Sequence, residues 1–96
     1  MTTKPLIPPT INLNGTDGKQ LLDQQVEVWR AIDALQKVMA DAAPHGRDYQ
    51  TRPGEYPSAR DAWLQRMQVV ALLKLEIEQH ALAIQQQADA RRRKAS

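Results

Sequence analysis

Apolar residues recur at three- and four-residue intervals along two long stretches of the chain. In the first, Leu21, Val28, Ile32, Leu35, Met39 and Ala42 form a stripe with Gln25 as its polar interruption, and Leu22 and Trp29 widen it. Asp23, Glu27, Arg30, Asp33, Lys37 and Asp41 fall on the other side. This spacing predicts an amphipathic helix over 16–43, about seven turns at 3.6 residues each. Asp17, three residues before Gln20, is an N-cap pattern, and Pro44 and Gly46 supply the stop. In the second stretch, Ser58 and Asp61 make a capping box with Pro57 just outside. From there the chain runs over 58–92 without Pro or Gly. Trp63, Met67, Val70, Ile77, Ala81, Ile84 and Ala88 form a stripe with the spacing of a coiled-coil seam, Lys74 its lone polar member. This second helix spans on the order of 50 Å, against about 40 Å for the first.

The remaining segments read differently. Pro5, Pro8 and Pro9 exclude helix from 1–15, which reads as an extended arm. Ile11 and Leu13 alternate with Asn12 and Asn14, as in a short strand or an extended segment docked in an apolar groove, and Asn14-Gly15 is a turn signal. The connection over 44–57 carries three prolines and two glycines and is long for a helical hairpin, where roughly 2–8 residues is usual. Residues 93–96 read as a basic tail.

Val69-Val70-Ala71-Leu72-Leu73 is apolar on every side of a helix, and Leu75 extends it. A helix apolar all round is buried all round, and one partner helix cannot do that. Val69, Leu72, Leu73 and Leu75 are therefore the expected contact with further copies of the chain. The alternative is that the arm covers them through Leu6, Ile7, Ile11 and Leu13. The expected fold is all-α: an antiparallel two-helix hairpin with an extended N-terminal arm, assembling into a homo-oligomeric helical bundle.

Composition narrows the function. At 96 residues the chain holds a single domain, and a chain that short buries a modest fraction of its surface. It has no cysteine, so disulfides and thiolate metal sites are excluded, and His45 and His80 have no ligand-spaced partner. No cofactor or metal is expected. The first sixteen residues lack a signal peptide's apolar core, and no stretch approaches the roughly 20 apolar residues of a membrane span. The expected location is the cytoplasm. The net charge is +2, but Arg91, Arg92, Arg93 and Lys94 carry +4, so the body is slightly acidic. That argues against a broad nucleic-acid face.

Chemistry-bearing residues gather in the connection. His45, Arg47, Asp48, Tyr49, Arg52 and Tyr56 stand among Gly46 and Gly54. Arginine forks pair with phosphate or carboxylate, and tyrosines stack on planar groups. His45, Arg47, Asp48, Tyr49 and Arg52 are thus candidate contacts for an anionic, planar ligand, with Asn14 added if the arm folds back toward them. The competing reading has Arg47 and Asp48 capping helix ends and the tyrosines plugging the end of the bundle. Arg91–Lys94 either complement the helix dipole or contact nucleic acid phosphates. There is no Ser–His–acid set, P-loop or dinucleotide fingerprint, so no enzyme activity is expected.

Two motifs carry a resemblance. Ile11-Asn12-Leu13-Asn14-Gly15-Thr16 leads into the first helix, and Ala43-Pro44-His45-Gly46-Arg47-Asp48-Tyr49 follows it. With the helix between them they resemble a group of small uncharacterised accessory proteins encoded by tailed phages and prophages. That pattern places a second aromatic after Tyr49, where this chain has Gln50. The resemblance implies phage origin and a binding role in anti-defence or host takeover. The action would be to sequester an anionic ligand such as a nucleotide signal, or to block a host protein. The alternatives are a virion-structural or protein-interaction component, and a nucleic-acid binder using the basic tail.

Overall fold

The computed structural model describes residues 3–12 and 15–95, with side chains up to Arg93. Two long helices dominate. α1 spans Gly18–Asp41 and α2 spans Tyr56–Ala95. They run antiparallel, as three cross-contacts at steadily opposed positions establish. Trp63 Nε1 donates to the Met39 carbonyl at 2.9 Å, Lys74 Nζ meets Asp33 Oδ1 at 2.9 Å, and Trp29 Nε1 donates to Glu78 Oε1 at 2.6 Å. The molecule is a rod of 68 × 26 × 19 Å. Its radius of gyration is 19.5 Å, against about 12.5 Å for a compact domain of this length.

The helices begin and end for reasons partly different from those read in the sequence. Asp17 occupies the N-cap of α1, but its side chain makes no capping hydrogen bond. α1 ends at Asp41, where Ala42 N–H still reaches the Val38 carbonyl at 3.0 Å, before Pro44. α2 starts two residues before the expected Ser58. Tyr56 has helical dihedrals and its N–H reaches the Pro53 carbonyl, so Pro57 lies inside the first turn. Proline fits there because that turn has no use for its missing N–H. Ser58 is consequently a helical residue and not a cap. At the other end α2 continues through 93–95, so the expected basic tail is the last turn of the helix.

The connection is also more regular than expected. Two short 3₁₀ turns, Gly46–Tyr49 and Pro53–Glu55, lie in it. His45 caps the first, its Nδ1 accepting from Arg47 N–H at 3.2 Å. Backbone bonds from Asp48 to His45, Arg52 to Tyr49 and Glu55 to Arg52 carry the turns into α2.

The arm lies along the C-terminal half of α2 and runs in the same direction. Pro5, Leu6 and Pro8 sit by Glu76, Gln79 and His80. Further on, the Gln87 amide accepts from Ile11 N–H at 3.2 Å and donates to the Pro9 carbonyl at 2.7 Å, closing on the arm as a neighbouring strand would. Arg91 donates to the Ile11 carbonyl. Gly18 is buried under Ile11, and a Cβ there would lie 2.9 Å from Ile11 Cδ1. The chain packs the arm directly onto the start of α1, which needs glycine at that position.

The apolar interior is small. Among the described residues the buried hydrophobic side chains are Ile32, Ile77 and Ile84. The face α1 turns to α2 carries Leu22, Trp29, Ile32 and Gln36, so the buried line is rotated from the one expected. Val28 and Leu35, assigned to that line from their spacing, are 41% and 47% exposed. Lys74, the polar member of the α2 stripe, stays half-buried because it is satisfied on three sides. It holds Asp33 and the Gln36 side-chain oxygen, each at 2.9 Å, and its ammonium lies 4.3 Å from the centre of the Trp29 ring.

Candidate interaction surface

The connecting loop puts its expected ligand contacts at the tip of the hairpin. Tyr49 and Tyr56 pack ring against ring, tilted, with centroids 6.0 Å apart. Arg60, one turn into α2, lies 5.8 Å from the centre of the Tyr56 ring and pairs with Asp61. Arg52 pairs with Glu55 at 3.3 Å, and His45 is committed to its cap. Arg47 and Asp48 are exposed. The tyrosines thus contact each other, and the exposed Arg47 shares the first 3₁₀ turn with Tyr49. Asn14 lies outside the described residues. Asn12 and Gly15, before and after it in the chain, are joined by a backbone bond, and Gly15 precedes α1 by three residues. The loop follows the end of that helix, about 36 Å away.

At the arm end, a hollow of about 460 Å³ opens between Ile11, Gly18, Leu22, Gln85, Arg91 and Arg92. Both arginines are engaged within the chain, Arg91 with the Ile11 carbonyl and Arg92 with Asp89. The hydrogen bond from Gln85, and next that from Arg92, holds the Asp89 carboxyl below its ordinary value. Arg93 is also engaged, and the Lys94 side chain lies outside the described ones. The basic cluster thus helps to fasten the arm and the end of α2. Asp33 is likewise held below its ordinary carboxylate value, first by the hydrogen bond from Lys74 and then by that from Lys37.

Most of the uncovered apolar surface lies along the helices. Val69, Leu72, Leu73 and Leu75 are 66%, 61%, 45% and 48% exposed, so the arm does not cover the belt. Sequence reasoning missed others. Leu64 and Leu82 on α2 and Val38 on α1 are at least half exposed, and Leu6 and Ile7 of the arm are also uncovered. The missed signal was the heptad spacing that joins Leu64, Ala71 and Leu82 to Leu75 on α2, and Ala31 and Val38 to Val28 and Leu35 on α1.

Between the helices, on the side of Lys74, lie two apolar hollows. One, of about 340 Å³, is lined by Gln36, Met39, Leu64, Met67, Gln68 and Ala71. The other, of about 350 Å³, is lined mainly by Leu22, Val26, Trp29, Ile77, Ala81 and Leu82. The Lys74–Asp33 pair stands between them in the register of the hairpin.

No group of three or more metal-ligating side chains occurs among the described residues, and no helix there is long and apolar enough to cross a membrane. No protein-family model, curated protein or solved structure matches this chain significantly.

Proposed function

We propose that this chain is a non-enzymatic binding protein that works as a homo-oligomer, using its exposed helical faces for self-assembly. The observation that carries this reading is the area left uncovered. The chain exposes 7,695 Å². A folded monomer of 10.8 kDa is expected to expose about 5,500 Å². The excess of about 2,100 Å² per chain matches what obligate homodimers bury, roughly 1,000–2,500 Å² per subunit. It includes Val69, Leu72, Leu73 and Leu75, and exposed apolar patches of this kind mark association sites. Light scattering behind size exclusion, from about 1 to 100 µM as is usual for testing mass action, tests the reading. A discrete multiple of 10.8 kDa is expected; a monomer throughout refutes it.

A second reading concerns what the oligomer binds. Tyr49 and Tyr56 offer two rings in tilted contact, with the Arg60 cation over one of them and Arg47 in the same 3₁₀ turn as Tyr49. Such a surface, repeated on each copy, suits an anionic and planar ligand such as a nucleotide. A phage-type accessory protein acting in the host cytoplasm by sequestering such a signal fits this chemistry. Native mass spectrometry of gently purified protein tests it. Retained nucleotide mass that disappears in Arg47→Ala and Tyr49→Ala, with the oligomer intact, supports it. Binding unchanged in both variants refutes it.

A further inference from the structure

We infer that a second copy of this chain docks antiparallel on the Lys74 side of the hairpin, α2 against α2, about a two-fold axis at residue 73. The inference rests on the self-assembly reading above and names the face and the register.

Leu64, Gln68, Ala71, Leu75, Glu78 and Leu82 advance by alternating steps of four and three residues, the interval that keeps one line facing a partner helix. All six are exposed in the single chain. A two-fold axis makes an interface self-complementary, each residue meeting its mirror position on the other copy. About position 73, Leu64 meets Leu82 of the second copy, Gln68 meets Glu78, and Ala71 meets Leu75. Each of these matches is chemically sound. A large side chain faces a small one at the centre, leucines face each other at the ends, and an amide faces a carboxylate between them. The Gln68 amide donates to the carboxylate that already accepts from Trp29.

One hollow lies beside Leu64 and the other beside Leu82, on either side of position 73. Rotation about the axis brings Leu82 of the second copy to the first hollow and its Leu64 to the second. Each projecting leucine, half exposed in the free chain, thus meets an apolar recess. The charge between the recesses is already satisfied. Lys74 has Asp33, Gln36 and the Trp29 ring, so docking buries no lone cation. The opposite side of the rod offers Val28, Leu35 and Val38 as the competing face.

The absence of native cysteine gives a direct test. Leu64→Cys and Leu82→Cys single variants are mixed, unfolded, refolded together and oxidised. The 64–82 disulfide is expected to exceed the 64–64 and 82–82 products by at least about tenfold, because like positions stand about 27 Å apart along the paired helices. Ala71→Cys mixed with Leu75→Cys provides a second pair near the axis, should either first variant fold poorly by circular dichroism. A monomer in light scattering refutes self-assembly and this inference with it. An oligomer in which neither pair cross-links, or in which only Val28→Cys with Val38→Cys does, overturns this interface while leaving self-assembly standing.

Discussion

Ile84→Ala is the sharpest probe of the hairpin core. Ile84 is 1% exposed, the most completely buried large side chain described, and it lies in α2 on the stretch where the arm and the start of α1 converge. The change removes three outer carbons at about 0.8 kcal/mol each in transfer terms. A residual cavity adds to that, giving about 3 kcal/mol within the usual ~2–5 kcal/mol. For a chain of this size each kcal/mol shifts Tm by roughly 4–8 °C, so a fall of about 15 °C is expected. Circular dichroism melts at one fixed protein concentration measure it. Leu82→Ala, two residues earlier and 55% exposed, is the comparison. In an isolated hairpin it shifts Tm by a few degrees at most, as surface substitutions do. In an assembly it costs more, and the cost shrinks as protein concentration rises. An Ile84→Ala variant within about 0.5 kcal/mol of the parent, the range of surface changes, would falsify the placement of α2 against its neighbours.

Three further outcomes follow from particular contacts. Gln87→Leu removes two of the bonds that hold the arm and leaves that from Arg91; the two are worth about 1–3 kcal/mol together, so amide exchange over 3–12 rises about tenfold or more while helix content stays constant. Trp63→Phe deletes the 2.9 Å bond to the Met39 carbonyl. It lowers stability by about 1 kcal/mol, measured by urea titration; an unchanged midpoint contradicts that bond. The Asp33 carboxyl is held below its ordinary 3.8 by Lys74 and then Lys37. A depressed acid stabilises the fold fully above its unfolded pKa and loses that contribution as pH falls through the folded one. The parent therefore loses stability below about pH 4, and Asp33→Asn shows a flatter acid limb in melts from pH 7 to pH 2.

The two helices were legible because two long runs keep a 3.6-residue rhythm with few breakers. Their faces were less so. Val28 and Leu35 share the spacing of Ile32, and a stripe that wide does not say which edge meets the partner. Packing chose the edge carrying Leu22 and Trp29, where Trp29 also bonds Glu78 across the groove. Lys74 looked like a blemish in a coiled-coil seam, and Asp33 like a surface charge. A lysine stem is long enough to lie along apolar surface and deliver its ammonium to the helix flank, which joins the two. Pro57 misplaced the start of α2 because proline both stops a helix and suits its first turn. The loop residues were legible as a group. Their commitments, His45 to a cap and Arg52 to Glu55, were not, since short-range turns depend on dihedrals that composition does not reveal.

Lys74 also bears on why the chain keeps a polar group where an apolar one would pack. Leucine at 74 would extend the apolar surface across both hollows, and helices with unbroken apolar faces slide between registers because every heptad shift buries similar area. In the antiparallel pairing inferred above, a one-heptad shift in one direction sets Glu78 opposite Leu75, and in the other it sets Leu64 of the second copy beside the Lys74–Asp33 pair. The pair adds little stability at its partly exposed position. In the pairing inferred above, its contribution would be to make both shifted registers costlier than the one centred on position 73.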